Sequence, residues 1–325
     1  KSFITNVILQ KKLFKRPLRG ILHSFIFYGF IYFGLHTTSQ IVAGTIGWWL
    51  DNPYLFHLLP IDDKFPFGTW YLTGLDYVSI IVLVGLAGFA YRRWIYKARE
   101  LDRPSGQSAL ILSLIAILMF ATLLSNAALP VMNPEHYYAA TSSIAHALSA
   151  IYPSVEAATF AQAFFWWVHI LAVFVFMIVV PKSKHSHLIF APFNFFWIKA
   201  GPKGQLSKMN LEDENITAFG ATNIADFGWK NLLDGVSCIE CGRCTLVCPA
   251  NNTGKLLDPK KIMMDIKHSL IDKMPAVMAG TEGADTRVID SVISYEEVWA
   301  CTTCYACVDQ CPVGNNHVDA IIDMR

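Results

Sequence analysis

The chain carries eight cysteines, and all of them stand in two runs of one spacing. The first run is Cys238-Ile-Glu-Cys241-Gly-Arg-Cys244-Thr-Leu-Val-Cys248-Pro249; the second is Cys301-Thr-Thr-Cys304-Tyr-Ala-Cys307-Val-Asp-Gln-Cys311-Pro312. A tight turn of this spacing carries three thiolates to three iron corners of a cubane, and the fourth, beside the proline, reaches across to a second cluster. The pattern therefore assigns Cys238, Cys241, Cys244 and Cys311 to one 4Fe-4S cluster, and Cys301, Cys304, Cys307 and Cys248 to another. Zinc sites draw C-x2-C pairs from two places to close one tetrahedron, which does not fit a repeated triplet with a trailing Cys-Pro. Disulfides suit such crowding poorly.

A second set of metal-ligating side chains lies in apolar sequence, where a histidine is costly enough to be read first as functional. These are His23 and His36, then His169 and His187. On a continuous helix His169 and His187 fall about five turns and ~27 Å apart on one face, which suits two stacked haem irons. His23 and His36 are ~20 Å apart but about 140° out of phase. A bend near Gly29 or Gly34 is expected to bring that pair toward one face, and Pro181 to do the same for the other pair. Antiparallel first and fourth helices would pair His23 with His187 and His36 with His169, as ligands of b haems. The alternative reading has such histidines bonding to neighbouring helices or to a quinone; His185 competes with His187, and His36 need not be a ligand. His57, His136 and His146 read as ordinary outer residues, and His268 and His317 as surface residues.

The elements that must position these groups follow from composition. Of the 325 residues 54% are hydrophobic and 16% charged, with a mean hydropathy of +0.38; a soluble domain is about a quarter charged. The net charge of +1 comes without a basic stripe, so nucleic acid is excluded as a partner. Four stretches reach the roughly 20 apolar residues that a bilayer crossing needs: Gly20–Ala43, Tyr71–Tyr91, Ser108–Leu129 and Ala161–Val180. Lys11 to Arg19, Arg92 to Arg103, and Lys182 with Lys184 flank them, and the positive-inside rule puts these segments and the cysteine domain on the cytoplasmic side of the inner membrane. A short interfacial helix is expected within Tyr137–Ile151.

The chain is thus expected to be all-α: a transmembrane bundle of at least four spans over 1–190, a linker over 191–225, and a cytoplasmic α-helical ferredoxin domain over 226–325. In that last part a helix leads from Asp226 into the first run. A second starts at Asp258-Pro259, and Ser294 with Glu297 has the spacing of a capping box just before Cys301.

Together the histidine-bearing bundle, the Pro181-Lys-Ser-Lys-His-Ser-His187 segment leading to Ala191-Pro192-Phe-Asn194, Asp226-Phe-Gly-Trp229-Lys and the paired cysteine runs resemble the membrane-bound heterodisulfide-reductase-like iron-sulfur oxidoreductases. Their membrane part is similar to the nitrate reductase gamma subunit, and the electron-transfer-flavoprotein:menaquinone oxidoreductases are the members the chain looks most like. The resemblance implies two b haems, two cubanes and a menaquinone site. It also implies a soluble donor, with electron-transfer flavoprotein favoured, and a cysteine-rich CCG segment or subunit, expected on another chain or beyond Arg325. The competing readings are the quinol-oxidising membrane module of a heterodisulfide or sulfite-reduction complex, and a membrane anchor that carries electrons for a partner.

Overall fold

In the computed structural model the described residues are 2–42, 66–101, 106–134, 142–199, 201–202, 204–206, 212, 220–281 and 283–325. Ala43, His57, Arg103 and His136 lie outside them. By contact density the chain divides into two units, one of residues 17–97 with 103–179, the other of 1–16, 98–102 and 180–325.

The first unit is built on α1 (Pro17–Val42), α2 (Pro66–Ala90), α3 (Gly106–Met132), a short α4 (Ser143–Ser149) and α5 (Val155–Val179). Pro17 and Pro66 open their helices where a missing N–H costs nothing. Pro17–Thr38, Thr73–Ile95, Gly106–Met132 and Val155–Val179 are long and apolar enough to cross a membrane, in the four places the sequence marks. The helices pack in the order α1 on α2, α2 on α3, and α3 on α5, around Phe33, Leu75, Val82, Leu86 and Met119. Outside that core the surface stays apolar: Phe160, Trp167, Leu171 and Ile178 on α5 are all more than half exposed. Apolar residues on every side are what a helix needs in lipid, where nothing is gained by a polar face.

The second unit holds α6 (His187–Phe196), α7 (Trp229–Ser237), α8 (Arg243–Leu246), α9 (Pro249–Asn252), α10 (Pro259–Met278), α11 (Tyr295–Trp299), α12 (Ala306–Gln310) and α13 (His317–Met324). Asp258 caps α10 by accepting from the Lys260 N–H, with Pro259 next in line. Ser294 and Glu297 form the expected capping box of α11. Ile224, Leu257, Ile262, Met263, Ile266, Ile293 and Ile321 make the core. Among the described residues the only β pairing is two isolated bridges, Asn223 with Arg287 and Ile289 with Ile293. His268 is exposed, as expected. His317 is not a surface residue: it is 1% exposed, because at the start of α13 it shares the face of Ala320 and Ile321 that closes the core.

Candidate functional site

The two cysteine runs fold alike. In the first, Glu240 and Gly242 take left-handed backbone angles (φ 57° and 69°); in the second, Thr303 and Tyr305 do so at the corresponding positions (φ 53° and 61°). Three of these four have side chains and accept about 1 kcal/mol of strain each to wind the chain. Each winding ends in a short helix, α8 or α12, and then in the Cys-Pro step.

None of the eight thiols is in a disulfide. Cys248 comes from the first run but lines a recess with Cys301, Cys304 and Cys307 of the second, enclosed by Leu257, Tyr305, Val318 and Ile321. The complementary group forms around Cys238. Burial, and then the nearby Cys311 and Cys241 thiols, push it up to about 12. Cys311 is pushed up to about 11 by burial and by Cys241. Buried thiols such as Cys238 and Cys311, which resist ionisation one by one, are suited to a polynuclear cation that takes the charge as the protons leave. Backbone N–H groups already point at two sulfurs, Thr303 at Cys301 Sγ (3.4 Å) and Asn315 at Cys311 Sγ (3.3 Å). Among the described residues no three His, Cys, Asp or Glu converge closely enough for one metal ion.

Segments far away in sequence complete this unit. Lys15 Nζ pairs with Asp309 Oδ2 at 2.7 Å, Lys12 Nζ donates to the Val308 carbonyl at 3.5 Å, and the buried Arg243 donates to the Lys12 carbonyl at 3.4 Å. At Gly242 an added Cβ would lie 2.3 Å from the Glu100 carbonyl oxygen, so residue 100 packs directly on the first winding.

The histidines divide between the units. α1 is one α-helix from Pro17 to Val42, with no bulge near Gly29 or Gly34 to shift the register of His23 against His36. The His36 ring lies 6.4 Å from Tyr71 on α2, while Thr37 is the α1 residue at His169, with Oγ1 3.5 Å from Nε2. α1 and α5 also meet through Phe30 and Phe176, whose rings are 6.1 Å apart. On the other side of the ring, Thr122 Oγ1 is 3.2 Å from His169 Nδ1 and donates to the Leu118 carbonyl. With its hydroxyl hydrogen on Leu118, Thr122 can accept from an Nδ1–H, the tautomer that leaves Nε2 facing the Thr37 hydroxyl.

His187 does not continue the helix of His169. α5 ends at Val179, just before Pro181, which has no N–H to extend it, and His187 opens α6 in the other unit. Its Nδ1 lies 3.1 Å from the Lys184 carbonyl, an acceptor only, so Nε2 carries the lone pair. Burial above all pushes its pKa below the usual histidine range, with the Lys267 ammonium adding to this. Ser186, the preceding residue, donates to the Val236 carbonyl at 3.2 Å, two residues from Cys238.

Two polar features escape the sequence reading. Asp76, 1% exposed within the second span, accepts from Asn126 (2.9 Å) and Ser142 (2.5 Å), and Ser142 also caps α4. Asn194, fully buried, meets Asp234, Val313 and Asn315. A lone acid in an apolar run was a visible signal for the first; for the second there was none.

The fold and the site together define an iron-sulfur electron-transfer protein with four candidate membrane helices. Residues 237–315 match the family of the 4Fe-4S dicluster domain, whose eight cysteines here provide for two 4Fe-4S clusters. The chain is 34% identical to "Probable iron-sulfur-binding oxidoreductase FadF" of Bacillus subtilis over 98% of its own length and 48% of that protein's. It is 29% identical to "EtfAB:quinone oxidoreductase" of Syntrophomonas wolfei over 97% of its length and 47% of that protein's. It thus spans about half the length of these iron-sulfur oxidoreductases. A segment covering 29% of the chain is 32% identical to a subunit of the ferredoxin:CoB-CoM heterodisulfide reductase of Methanosarcina mazei, and covers 45% of that protein. No solved structure matches the chain.

Proposed function

We propose that the chain passes electrons between a soluble flavoprotein donor, two cubanes, b haems held among the membrane helices, and menaquinone. Cys238, Cys241, Cys244 and Cys311 hold one cubane, and Cys248, Cys301, Cys304 and Cys307 the other. The observation that carries this reading is the union of a dicluster domain and four candidate spans in one chain, aligned over 97% of its length with a protein named for EtfAB and quinone. That name is the source of the proposed partners.

His23, His36, His169 and His187 are the proposed haem ligands. In support, His187 has an acceptor, the Lys184 carbonyl, at Nδ1, which leaves Nε2 with the lone pair that iron requires. A bound haem supplies one-electron exchange; the residues set its place and its potential. The N-terminal arm, the loop near residue 100 and everything beyond Val179 fall in one compact unit. That supports placing all three on one face of the membrane, which the flanking lysines and arginines make the cytoplasmic one.

Reduced-minus-oxidised spectra of the purified chain, before and after a menaquinol analogue, test the proposal. Quinol-reducible b-type bands support it, and cubanes without haem overturn it. The likeness to a heterodisulfide reductase subunit favours one second reading, a module that oxidises quinol for a disulfide-reducing partner. Failure of reduced electron-transfer flavoprotein to reduce the clusters, with quinol still able to, would select it.

A further inference from the structure

We propose that Asn194 and Asn315 set the reduction potential of one cluster, the one Cys311 ligates, by holding a backbone N–H on the Cys311 sulfur. The inference deepens the cluster assignment above and needs neither haem nor quinone.

The chain of contacts is short. The Asn315 N–H donates to Cys311 Sγ at 3.3 Å. A hydrogen bond onto a ligand sulfur stabilises the more negative, reduced cluster and so raises its potential, provided the donor is held in place. Asn315 is fully buried and held at both ends of its side chain: Nδ2 donates to the Asp234 carbonyl at 2.6 Å, and Oδ1 accepts from Asn194 Nδ2 at 3.0 Å. Asn194 is braced in turn. Its Nδ2 also faces Asp234 Oδ1 (2.8 Å) and the Val313 carbonyl (3.1 Å), and its Oδ1 accepts from Lys230 Nζ (2.7 Å). Lys230 also pairs with the fully buried Asp234 at 2.7 Å. Three segments, α6, α7 and the turn after Cys311, are thus locked around one N–H.

Stability alone is a poor account of such a group. A half-buried ion pair with its hydrogen-bonding amides is often no more stabilising than apolar residues of the same volume. At the other cluster the brace is of a different kind: Arg325 donates to the Val298 and Cys301 carbonyls, not to a residue whose N–H points at a sulfur. Thr303 donates to Cys301 Sγ from within the winding itself, and its hydroxyl bonds to the adjacent Thr302 carbonyl. Among the described residues only the Cys311 cluster is tied in this way to α6, the helix that His187 opens, so the two clusters are tuned separately.

The test is an EPR-monitored redox titration of the full chain in detergent, comparing wild type with Asn315→Ala and Asn194→Ala at matched iron content. Cys311→Ser identifies which signal belongs to the Cys311 cluster. The expected result is a lower midpoint potential for that signal in Asn315→Ala, a smaller shift of the same sign in Asn194→Ala, and an unmoved second signal. Unchanged potentials, or equal shifts of both signals, would overturn the proposal. If Asn315→Ala fails to hold the cluster, Asn194→Ala, which leaves the Asn315 bond to Asp234 in place, is read against the same outcomes. Fewer than two cubane signals in the wild type would instead defeat the cluster assignment itself.

Discussion

The hydroxyls of Tyr32 and Tyr71 each donate to the other residue's backbone carbonyl, both at 2.6 Å, with the two rings stacked 4.5 Å apart. The pair clasps α1 to α2 where water is scarce, and each bond is worth roughly 1 kcal/mol. The clasp needs a glycine opposite, since a Cβ at Gly74 would stand 2.3 Å from the Tyr32 hydroxyl oxygen. Gly74→Ala should therefore lower the thermal stability of the detergent-solubilised chain by an overpacking cost of about 1–3 kcal/mol. In a Tyr32→Phe background the same change should cost less, because the nearest obstacle is gone. Strictly additive losses would refute the coupling.

The crossing of the cysteine runs makes a pairwise prediction. Cys248→Ala should abolish the EPR signal that Cys304→Ala abolishes, and Cys311→Ala the one that Cys241→Ala abolishes, although each pair draws on both runs. Loss of the same signal from Cys248→Ala and Cys241→Ala would show that each run ligates its own cluster.

Gly242 has both a left-handed backbone (φ 69°) and Glu100 against it. An alanine there must push residue 100 away from the winding. Gly242→Ala is expected to lose one cluster signal and roughly half the iron while the other signal persists. Full iron content with two normal signals would show that the contact is dispensable.

His317 makes stability depend on acid. Burial above all pushes its pKa down from 6.5 to about 4, and its place in the first turn of α13 adds the unfavourable helix dipole. Below pH 6.5 the unfolded chain takes up a proton that the folded chain accepts only near pH 4. Stability of the cysteine unit should hence fall as pH drops through that window and level off below it, by roughly 3 kcal/mol in all. Chemical denaturation across pH 4–7 reads this directly. His317→Gln should flatten the slope, and an unchanged slope would assign it to other groups.

How much of this was legible in the sequence depended on distance along the chain. The cysteine windings, the Asp258 cap and the Ser294–Glu297 box involve residues within a few positions of one another, and the structure has them as the spacing implies. The four apolar helices were equally plain, since length and composition alone define them. The Asn194 network was not, because its partners Asp234 and Asn315 lie 40 and 121 positions away and an asparagine carries no mark of its future neighbours. His317 was misjudged for the opposite reason. Its polarity suggested the surface, but the apolar Val318, Ala320 and Ile321 around it already gave the buried face. Thr37 and Thr122, which hold the His169 ring, could be found only by seeing which helices meet.

The unit that holds the cysteines is discontinuous, and this bears on how the protein is made. Asp309 takes its ion-pair partner from a residue 294 positions earlier, and Gly242 rests on residue 100. During synthesis the arm and the loop emerge long before the windings they brace, so the cysteine unit can close only after the four long helices have been made. A fragment starting after the fourth helix would carry every thiol and still be born with two of its supports missing. Its windings would then have to capture iron and sulfide without the arm and the loop to hold them.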